Sequence, residues 1–333
     1  MYTKIFAEEL PVPIVRAIKT PAMERLKGIG MHCGCDYSNI FIYKNVRMPY
    51  SRYTHSVAVA KIIWHFTQDV VQTFAGLLHD IATPVFAHSI DFMYGDYLTQ
   101  EATEDATALF IMRAPEIMAL LKEYKISVEA VSDYHLYPVA DNDTPKLSAD
   151  RLEYTLGNAY ILYHTPLEIL QEIYEDIILV ENNEGEVEMC FSSLRMARKF
   201  TELALQNAYL YVSNEDRFMM QYIADIIKYA LEEDILQLED LDTTEAEVIQ
   251  KLQSDKRVNE RWEIFTQLKE VRTIEKRKED IYICKVPAKK RYIDTLVRQG
   301  NAVRRISEID ADIKRKIDTF LALCFDIWLT GIS

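Results

Sequence analysis

The stretch that decides the fold is residues 51–91, SRYTHSVAVAKIIWHFTQDVVQTFAGLLHDIATPVFAHSID. Apolar side chains recur along it at helical spacing, which predicts helices over 52–67 and 69–80, with Asp69 capping the second. Its polar side chains include Arg52, His55, His79, Asp80, His88 and Asp91. Because these groups lie in or beside an apolar core, they indicate a site that handles a metal or a proton.

The His79-Asp80 pair predicts a metal at the shoulder of a helix. Neighbouring residues on a helix point about 100° apart, so the pair can share one ion only there, and the other ligands must come from other helices. His55 is placed to be the third ligand. Asp150, in the first turn of the helix capped by Ser148, is the candidate for the fourth. Two imidazoles and two carboxylates suit one Mn²⁺, Fe²⁺, Ni²⁺ or Zn²⁺ about equally, and Mg²⁺ is a further alternative.

The rest of the chain predicts an all-α, mostly helical fold, because 9 Gly and 10 Pro in 333 residues leave little turn material. The exceptions are a small β-hairpin and a short strand, both in the C-terminal part. The predicted non-helical segments are an extended stretch at 39–46, the hairpin at 180–191 and the strand at 280–286. One or two helices over 307–329 are expected to close the chain. A soft boundary near residue 180 predicts two regions, a catalytic core over 1–179 and a helical region over 180–333 packed on it.

Composition restricts the class of protein. The chain is 49% hydrophobic and 27% charged, as in an ordinary globular protein. The absence of a long uncharged apolar run argues against a membrane protein, and five scattered cysteines fit a reducing cytoplasm. A net charge of −14 argues against general nucleic-acid binding, because phosphate backbones require clustered positive charge. Segment 269–316 is nevertheless basic, with 15 Lys and Arg against 8 Asp and Glu; a solvated helix face is the simpler interpretation and polyphosphate binding the alternative.

The order of these motifs resembles the HD superfamily of metal-dependent phosphohydrolases, and most closely its deoxynucleoside triphosphate triphosphohydrolase branch. TPAMERLKGIG resembles the branch's TP-x-x-x-RL helix, and YSRYTHSVAVA resembles RFEHSLGV. LLHDIATPVFAHSID resembles LLHDIGHGPFSHxxD, and ADRLEY resembles xDxxDY. The similarity spans nearly the whole chain and implies an HD-domain fold, a bound divalent metal and a homo-oligomer.

The resemblance also implies roles for individual residues. The metal ligands would be His55, His79, Asp80 and Asp150. The residues bound to substrate would be Arg52 and Arg151, which hold phosphate oxygens, and Tyr154, which packs on the sugar side of a nucleotide. His88 would lie beside the scissile phosphate, with Asp91 behind it as a partner in proton transfer.

The chain departs from the branch at positions that concern the proton relay and the sugar. Gln100-Glu101 stands where a His-Glu pair is usual, and Thr83 replaces the second His of the HD-x-x-H segment. Met31 replaces a sugar-reading Gln, and Gly157-Asn158 replaces an Arg-Asp pair. These departures weaken the expectation of a deoxynucleotide substrate much more than the expectation of a bound metal.

Three functions remain open at this point. The first is hydrolysis of a nucleotide, a (d)NTP among them, or of a related phosphate ester by metal-activated water. The second is a nucleotide-binding regulator or sensor that keeps the metal but has lost the relay. The third is a helical scaffold that binds a partner through the basic segment around Lys289, Lys290 and Arg291. The isolated histidines His65, His135 and His164 are interpreted as buried residues hydrogen-bonded to backbone.

Overall fold

The structure is a computed structural model and describes residues 2–98, 106–275 and 281–333. Helix dominates the first half of the chain. Its helices are α1 Val12–Ile18, α2 Pro21–Arg25, α3 Phe41–Lys44, α4 Arg52–Thr67, α5 Val70–Leu78, α6 His88–Met93, α7 Thr107–Arg113, α8 Pro115–Glu123, α9 Glu129–Ser132, α10 Ala149–Ile161 and α11 Leu167–Glu175. Short 3-10 turns at Tyr2–Lys4, Leu26–Gly28, Cys35–Tyr37 and Tyr134–Leu136 lie between them.

The second half combines helices with two small sheets. Its helices are α12 Leu194–Tyr211, α13 Asn214–Glu232, α14 Glu245–Ser254, α15 Lys256–Thr266, α16 Ile306–Ile309 and α17 Ala311–Leu321, with a 3-10 turn at Leu238–Asp242. Its strands are β1 Ile177–Glu181, β2 Val187–Phe191, β3 Glu270–Ile274, β4 Ile283–Cys284, β5 Leu296–Gln299, β6 Ala302–Arg305 and β7 Trp328–Ile332. The first of them, β1, begins just before residue 180.

The two sheets are built differently. The first has the strand order β1-β2-β5-β6, in which β2 and β5 run parallel and the outer pairs are antiparallel hairpins. The second has the order β3-β7-β4 and is antiparallel throughout. The predicted hairpin at 180–191 is thus confirmed as β1 and β2, and it forms one edge of a larger sheet.

Two local predictions are wrong. Segment 39–46, expected to be extended, contains the helical turn α3, because Tyr43 turns into the core and donates a hydrogen bond to Asp216 Oδ1 at 2.6 Å. The chain does not close on helices up to 329: α17 ends at Leu321, and β7 follows because its backbone pairs with β3. The predicted strand at 280–286 is reduced to β4 within the part of that segment that the structure describes.

Buried side chains form two hydrophobic cores. The smaller one packs α5 against α1, α2 and α8 through Phe74, Leu77 and Leu78. The larger one combines side chains from both sides of residue 180. The division of the chain at residue 180 stays a prediction. Among the described residues, no helix has both the length and the apolar character needed to span a bilayer.

Candidate active site

Helix α4 carries His55, and His79 directly follows the last residue of α5. Side-chain caps fix where both helices begin. Ser51 accepts a hydrogen bond from the Thr54 amide at the start of α4. Asp69 caps α5 as predicted, by accepting from two backbone amides. Gly76 allows the two helices to pack closely, since a methyl group at that position would lie 2.1 Å from Ile63 Cδ1. His55 and His79 therefore face each other across a tight helix pair.

The four predicted metal ligands come together. His55 Nε2 lies 3.2 Å from His79 Nε2, and each of these two residues and Asp80 offers one ligand atom within 4.8 Å of the others. Asp150, in the first turn of α10, places Oδ1 2.9 Å from His55 Nε2 and 3.7 Å from His79 Nε2. Three helical elements thus converge on one point, as the sequence predicts.

The hydrogen bonds behind the two histidines test whether a metal fits. His79 Nδ1 donates to the Gly76 carbonyl at 2.7 Å, and His55 Nδ1 donates to the Glu153 carboxylate. In the neutral rings both Nε2 atoms would therefore present lone pairs to each other and to the Asp80 and Asp150 carboxylates, which is repulsive unless a proton or a metal cation lies between them. The donor set fits a divalent cation.

Electrostatics at the cluster also favour positive charge. Burial by itself lowers the pKa of His55, but the carboxylates of Glu153 and Asp150 outweigh it and raise that pKa to about 10. Burial by itself raises the pKa of Asp80, yet the Arg52 guanidinium and both imidazoles hold it well below its usual range. The cluster is thus an anionic pocket that binds a proton or a metal strongly.

The two arginines predicted to hold phosphate are already engaged. Arg52 Nη1 lies 3.0 Å from Asp80 Oδ1, and its buried Nε has no hydrogen-bond partner in the part of the chain that the structure describes. Arg151 donates to the Asn142 side chain at 2.6 Å and to the Lys146 carbonyl at 2.8 Å, so it braces the loop over 141–147. Both line the cavity described below, and their contact with substrate stays a prediction.

His88 and Asp91 form a hydrogen-bonded pair at the start of α6. His88 Nδ1 lies 2.8 Å from the carboxylate of Asp91, which is 0% exposed, and this leaves His88 Nε2 for the cavity. Burial lowers the pKa of His88 below its ordinary value despite Asp91. Phe86 and Ala87 precede it with φ angles of 60° and 43°, a strained backbone of the kind found at functional sites.

A cavity of about 700 Å³ opens over the cluster. Tyr154 lies in its wall, with its ring 6.1 Å from that of Tyr211, and burial raises the pKa of Tyr154 to about 12. Polar residues extend the wall away from the metal ligands: His32, Tyr43, Asn158, Tyr211 and Asp216. This volume lies in the range of pockets that hold a drug-sized ligand.

Some site residues were missed from the sequence. Glu153 is 0% exposed and orients His55; its position one helical turn after Asp150 was the available signal.

The interpretation of His135 as a buried histidine is wrong, because its side chain is 52% exposed, lines the cavity and contacts Asp133 and Asp141. His65 and His164 are not buried either; His65 contacts Glu8, whereas His164 does bond to a backbone carbonyl.

The residues that depart from the pattern of the resembled family lie in different surroundings. Thr83 donates a hydrogen bond to Asp80 Oδ1 at 2.8 Å, so it supports a candidate metal ligand rather than carrying a proton. Met31 and Asn158 both line the cavity. Gln100 and Glu101 lie outside the described residues.

Sequence comparison finds relatives of moderate similarity, while no protein-family model matches the chain. The chain is 28% identical over 241 residues to the uncharacterised protein YdhJ of Bacillus subtilis, covering 72% of this chain and 70% of YdhJ. It is 27% identical over 182 residues to the metal-dependent phosphohydrolase cns2 of Cordyceps militaris, covering 52% of this chain and 49% of cns2. The matched region is thus about half of cns2.

Solved structures share the fold over nearly the full length. A hypothetical protein from Aquifex aeolicus matches with a TM-score of 0.67 and 16% identity, covering 97% of this chain and 93% of that one. A phosphohydrolase from Bacteroides thetaiotaomicron matches with a TM-score of 0.62 and 13% identity, covering 97% and 96%. Together with the relatives and the His-His-Asp cluster, these findings support the predicted class of enzyme, a metal-dependent hydrolase.

Proposed function

We propose that this protein is a metal-dependent phosphohydrolase that cleaves a phosphate ester of a nucleotide. The observation that carries the proposal is the pair of Nε2 atoms, on His55 and His79, that face each other 3.2 Å apart beside two carboxylates. Such an arrangement is costly in the folded protein unless a proton or a metal cation occupies it, and the nitrogen and oxygen donors that converge there suit a divalent metal. The relative and the structural neighbour named as phosphohydrolases support the same reaction class.

The metal would be held by His55, His79, Asp80 and Asp150. A divalent ion bound there polarises a phosphoryl oxygen and lowers the pKa of bound water. Mixed nitrogen and oxygen donors suit Mn²⁺, Fe²⁺, Ni²⁺ or Zn²⁺, whereas Mg²⁺ is usually bound through oxygen donors alone.

The chain's own residues prepare the phosphate for attack. Arg52 lies against Asp80, where its guanidinium offsets charge that builds up on a phosphate beside the cluster. The Asp91 carboxylate accepts the proton on His88 Nδ1, so His88 Nε2 faces the cavity and can take or return a proton. In the overall reaction a water oxygen bonds to phosphorus, the ester P–O bond breaks, and the leaving oxygen takes up a proton.

The cavity supports a nucleotide rather than a smaller ester. Asp150, Tyr154 and Asn158 line it at successive turns of α10, and Tyr211 and His32 add an aromatic ring and a polar ring to the same wall. His32 Nε2 lies 3.3 Å from Asn158 Oδ1, and Asn158 Nδ2 donates to Tyr211 at 2.8 Å. Aromatic faces beside amide and hydroxyl groups are what a base and a sugar require.

Turnover of a substrate panel tests this function. Metal-replete protein is expected to hydrolyse at least one nucleoside mono- or triphosphate or a simple phosphate ester, and His79→Ala is expected to reduce turnover to background. His65→Ala, which changes an exposed histidine paired with Glu8, serves as the matched control and should retain activity. Nucleotide-dependent thermal stabilisation without any product would contradict hydrolysis and support the sensor instead.

A further inference from the structure

A basic arm from the C-terminal half reaches the cavity. We define it as residues 287–292, the segment between Val286 and Ile293, which are both buried. Lys289 and Arg291 of this arm line the cavity, although they lie more than a hundred residues beyond the predicted metal ligands. They belong to the basic segment for which polyphosphate binding was an alternative.

Both ends of the arm are anchored to the folded protein. At one end the Val286 carbonyl accepts a hydrogen bond from the buried guanidinium of Arg217. At the other end the Asp294 amide donates to the Pro145 carbonyl at 2.9 Å, in the loop that Arg151 braces. The arm is thus held at two points beside the cavity. These anchors restrict its conformations, which lowers the entropy lost when its side chains bind a ligand.

Lys290 shows that the side chains of the arm alternate in direction. Lys289 and Arg291 line the cavity, whereas Lys290 between them donates to the Leu321 carbonyl and lies 5.6 Å from the Phe325 ring. Two residues with the same spacing share one side of an extended segment, and the residue between them points away. The chain therefore supplies a built-in control of the same charge.

The cavity wall carries charges of both signs, and its carboxylates include Asp143 and Asp216. The carboxylates of Asp133 and Asp141 flank His135, and chiefly Asp141 raises the pKa of His135 to about 9, so these acids face a positive charge at neutral pH. Arg52 is paired with Asp80, and Arg151 is bonded to the loop that it braces. The arm, PAKKRY, contains no acidic residue and contributes the positive side chains of Lys289 and Arg291 to the cavity wall.

We propose that Lys289 and Arg291 form an anion subsite that binds a second phosphate group of the substrate, next to the phosphate held at the metal. The inference rests on the proposed function. Arg291 shares the cavity lining with His88, Tyr154 and Tyr211, and its charge acts on all three groups. A substrate that extends from His88 along the tyrosine wall passes this guanidinium, which suits phosphate oxygens well.

Calorimetric titration of metal-replete protein with inorganic pyrophosphate and with inorganic phosphate tests the subsite. The variants are Lys289→Met, Arg291→Met and their combination, with Lys290→Met as the control and Arg291→Lys as the charge-preserving variant. Wild type and Lys290→Met are expected to bind pyrophosphate more tightly than phosphate. The double variant should lose pyrophosphate affinity roughly tenfold to a hundredfold, and Arg291→Lys should lose less than Arg291→Met.

Two results would overturn the subsite: equal affinity of the wild type for pyrophosphate and phosphate, or full pyrophosphate affinity in the double variant. Thermal unfolding of each variant checks folding, and the Arg291→Met and Arg291→Lys pair decides the question if the double variant does not fold. Hydrolysis of the panel of nucleotides and phosphate esters by metal-replete wild type separates the two proposals. Absent hydrolysis with charge-dependent pyrophosphate binding contradicts the function alone, whereas hydrolysis without such binding contradicts the subsite alone.

Discussion

Glu153 is the residue on which the geometry of the candidate metal ligands depends most. Its carboxylate is fully buried and accepts hydrogen bonds from Tyr2, Tyr50 and His55. By accepting the proton on His55 Nδ1 it fixes the tautomer in which Nε2 is free to bind a metal. Carboxylates placed behind a ligating histidine commonly orient the ring and raise its basicity.

We expect Glu153→Gln to weaken metal binding by about 10- to 100-fold, because an amide cannot accept from three donors. A metal titration of purified protein measures this change. Glu188→Gln is the matched control: Glu188 is equally buried, but it pairs with Arg305 in the first sheet. Equal metal affinity in the Glu153 variant and wild type would show that this carboxylate does not orient His55.

At the level of single residues, the sequence predicts the candidate metal ligands, but it does not predict Glu153, which accepts the hydrogen bond from His55. His55, His79, Asp80 and Asp150 were identifiable because an adjacent His-Asp pair at a helix end needs partners from neighbouring helices. Glu153 was not, since which side of α10 faces α4 depends on packing that a single helix does not encode. Its closest signal was the three-residue spacing from Asp150.

Among the elements, α10 joins the site to the core. Asp150 and Glu153 lie on the side of this helix that faces α4, and Gly157 lies one turn further along it. A methyl group at position 157 would lie 2.5 Å from the Tyr50 hydroxyl oxygen and 2.8 Å from its Cζ. Gly157 thus makes room for Tyr50, which donates a hydrogen bond to Glu153.

Gly157→Ala should have two opposing effects on the free energy of unfolding, and the larger of the two determines whether the variant is more or less stable than wild type. Helix propensity alone would stabilise the variant by up to about 1 kcal/mol. The collision with the Tyr50 ring should cost about 1–3 kcal/mol, so we expect a net loss in the free energy of unfolding. Denaturant titration measures it, and a gain in stability would mean that Tyr50 can move without cost.

The elements themselves divide into those that local sequence specifies and those that it does not. Helices α4 and α5 match the predicted 52–67 and 69–80 to within about two residues, the usual uncertainty of helix ends. Strands β3 and β7 were not predicted, because each is short and its partner lies about sixty residues away along the chain. Such pairing depends on tertiary contacts, so a local sequence pattern cannot predict these strands.

For the whole molecule, Asp216 connects stability to pH. It is buried on α13 and accepts a hydrogen bond from Tyr43, and burial raises its pKa to about 7. In the unfolded chain an aspartate titrates near 3.9, so between about pH 4 and pH 7 the folded state binds more protons than the unfolded state. The contribution of Asp216 to stability is therefore fully present below about pH 4 and is lost as the pH rises to about 7.

We expect Asp216→Asn to remove this dependence. Relative to wild type, the variant should gain on the order of 2–4 kcal/mol of stability between pH 5 and pH 8, because asparagine keeps an acceptor for Tyr43 but cannot ionise. Unfolding at both pH values measures the difference. Asp225→Asn controls for loss of a charge on the same helix, and an unchanged pH dependence in the Asp216 variant would exclude Asp216 as its source.

The two halves of the molecule meet at the cavity. α4, α5 and α10 supply the predicted metal ligands, while the arm at 287–292 reaches the same cavity from the C-terminal half. Composition predicted a basic C-terminal segment, but its position could not be predicted, because the anchors at Val286 and Asp294 are formed by residues distant in sequence. The predicted homo-oligomer and cytoplasmic location remain predictions.

Elemental analysis of the purified protein tests the central claim most directly. Wild type and the control His65→Ala should each contain about one divalent metal ion per chain after exposure to Mn²⁺, Fe²⁺, Ni²⁺ or Zn²⁺ and removal of excess ion. A folded His79→Ala variant should contain far less. Metal absent from wild type, or retained in full by His79→Ala, would contradict a metal centre at His55, His79, Asp80 and Asp150.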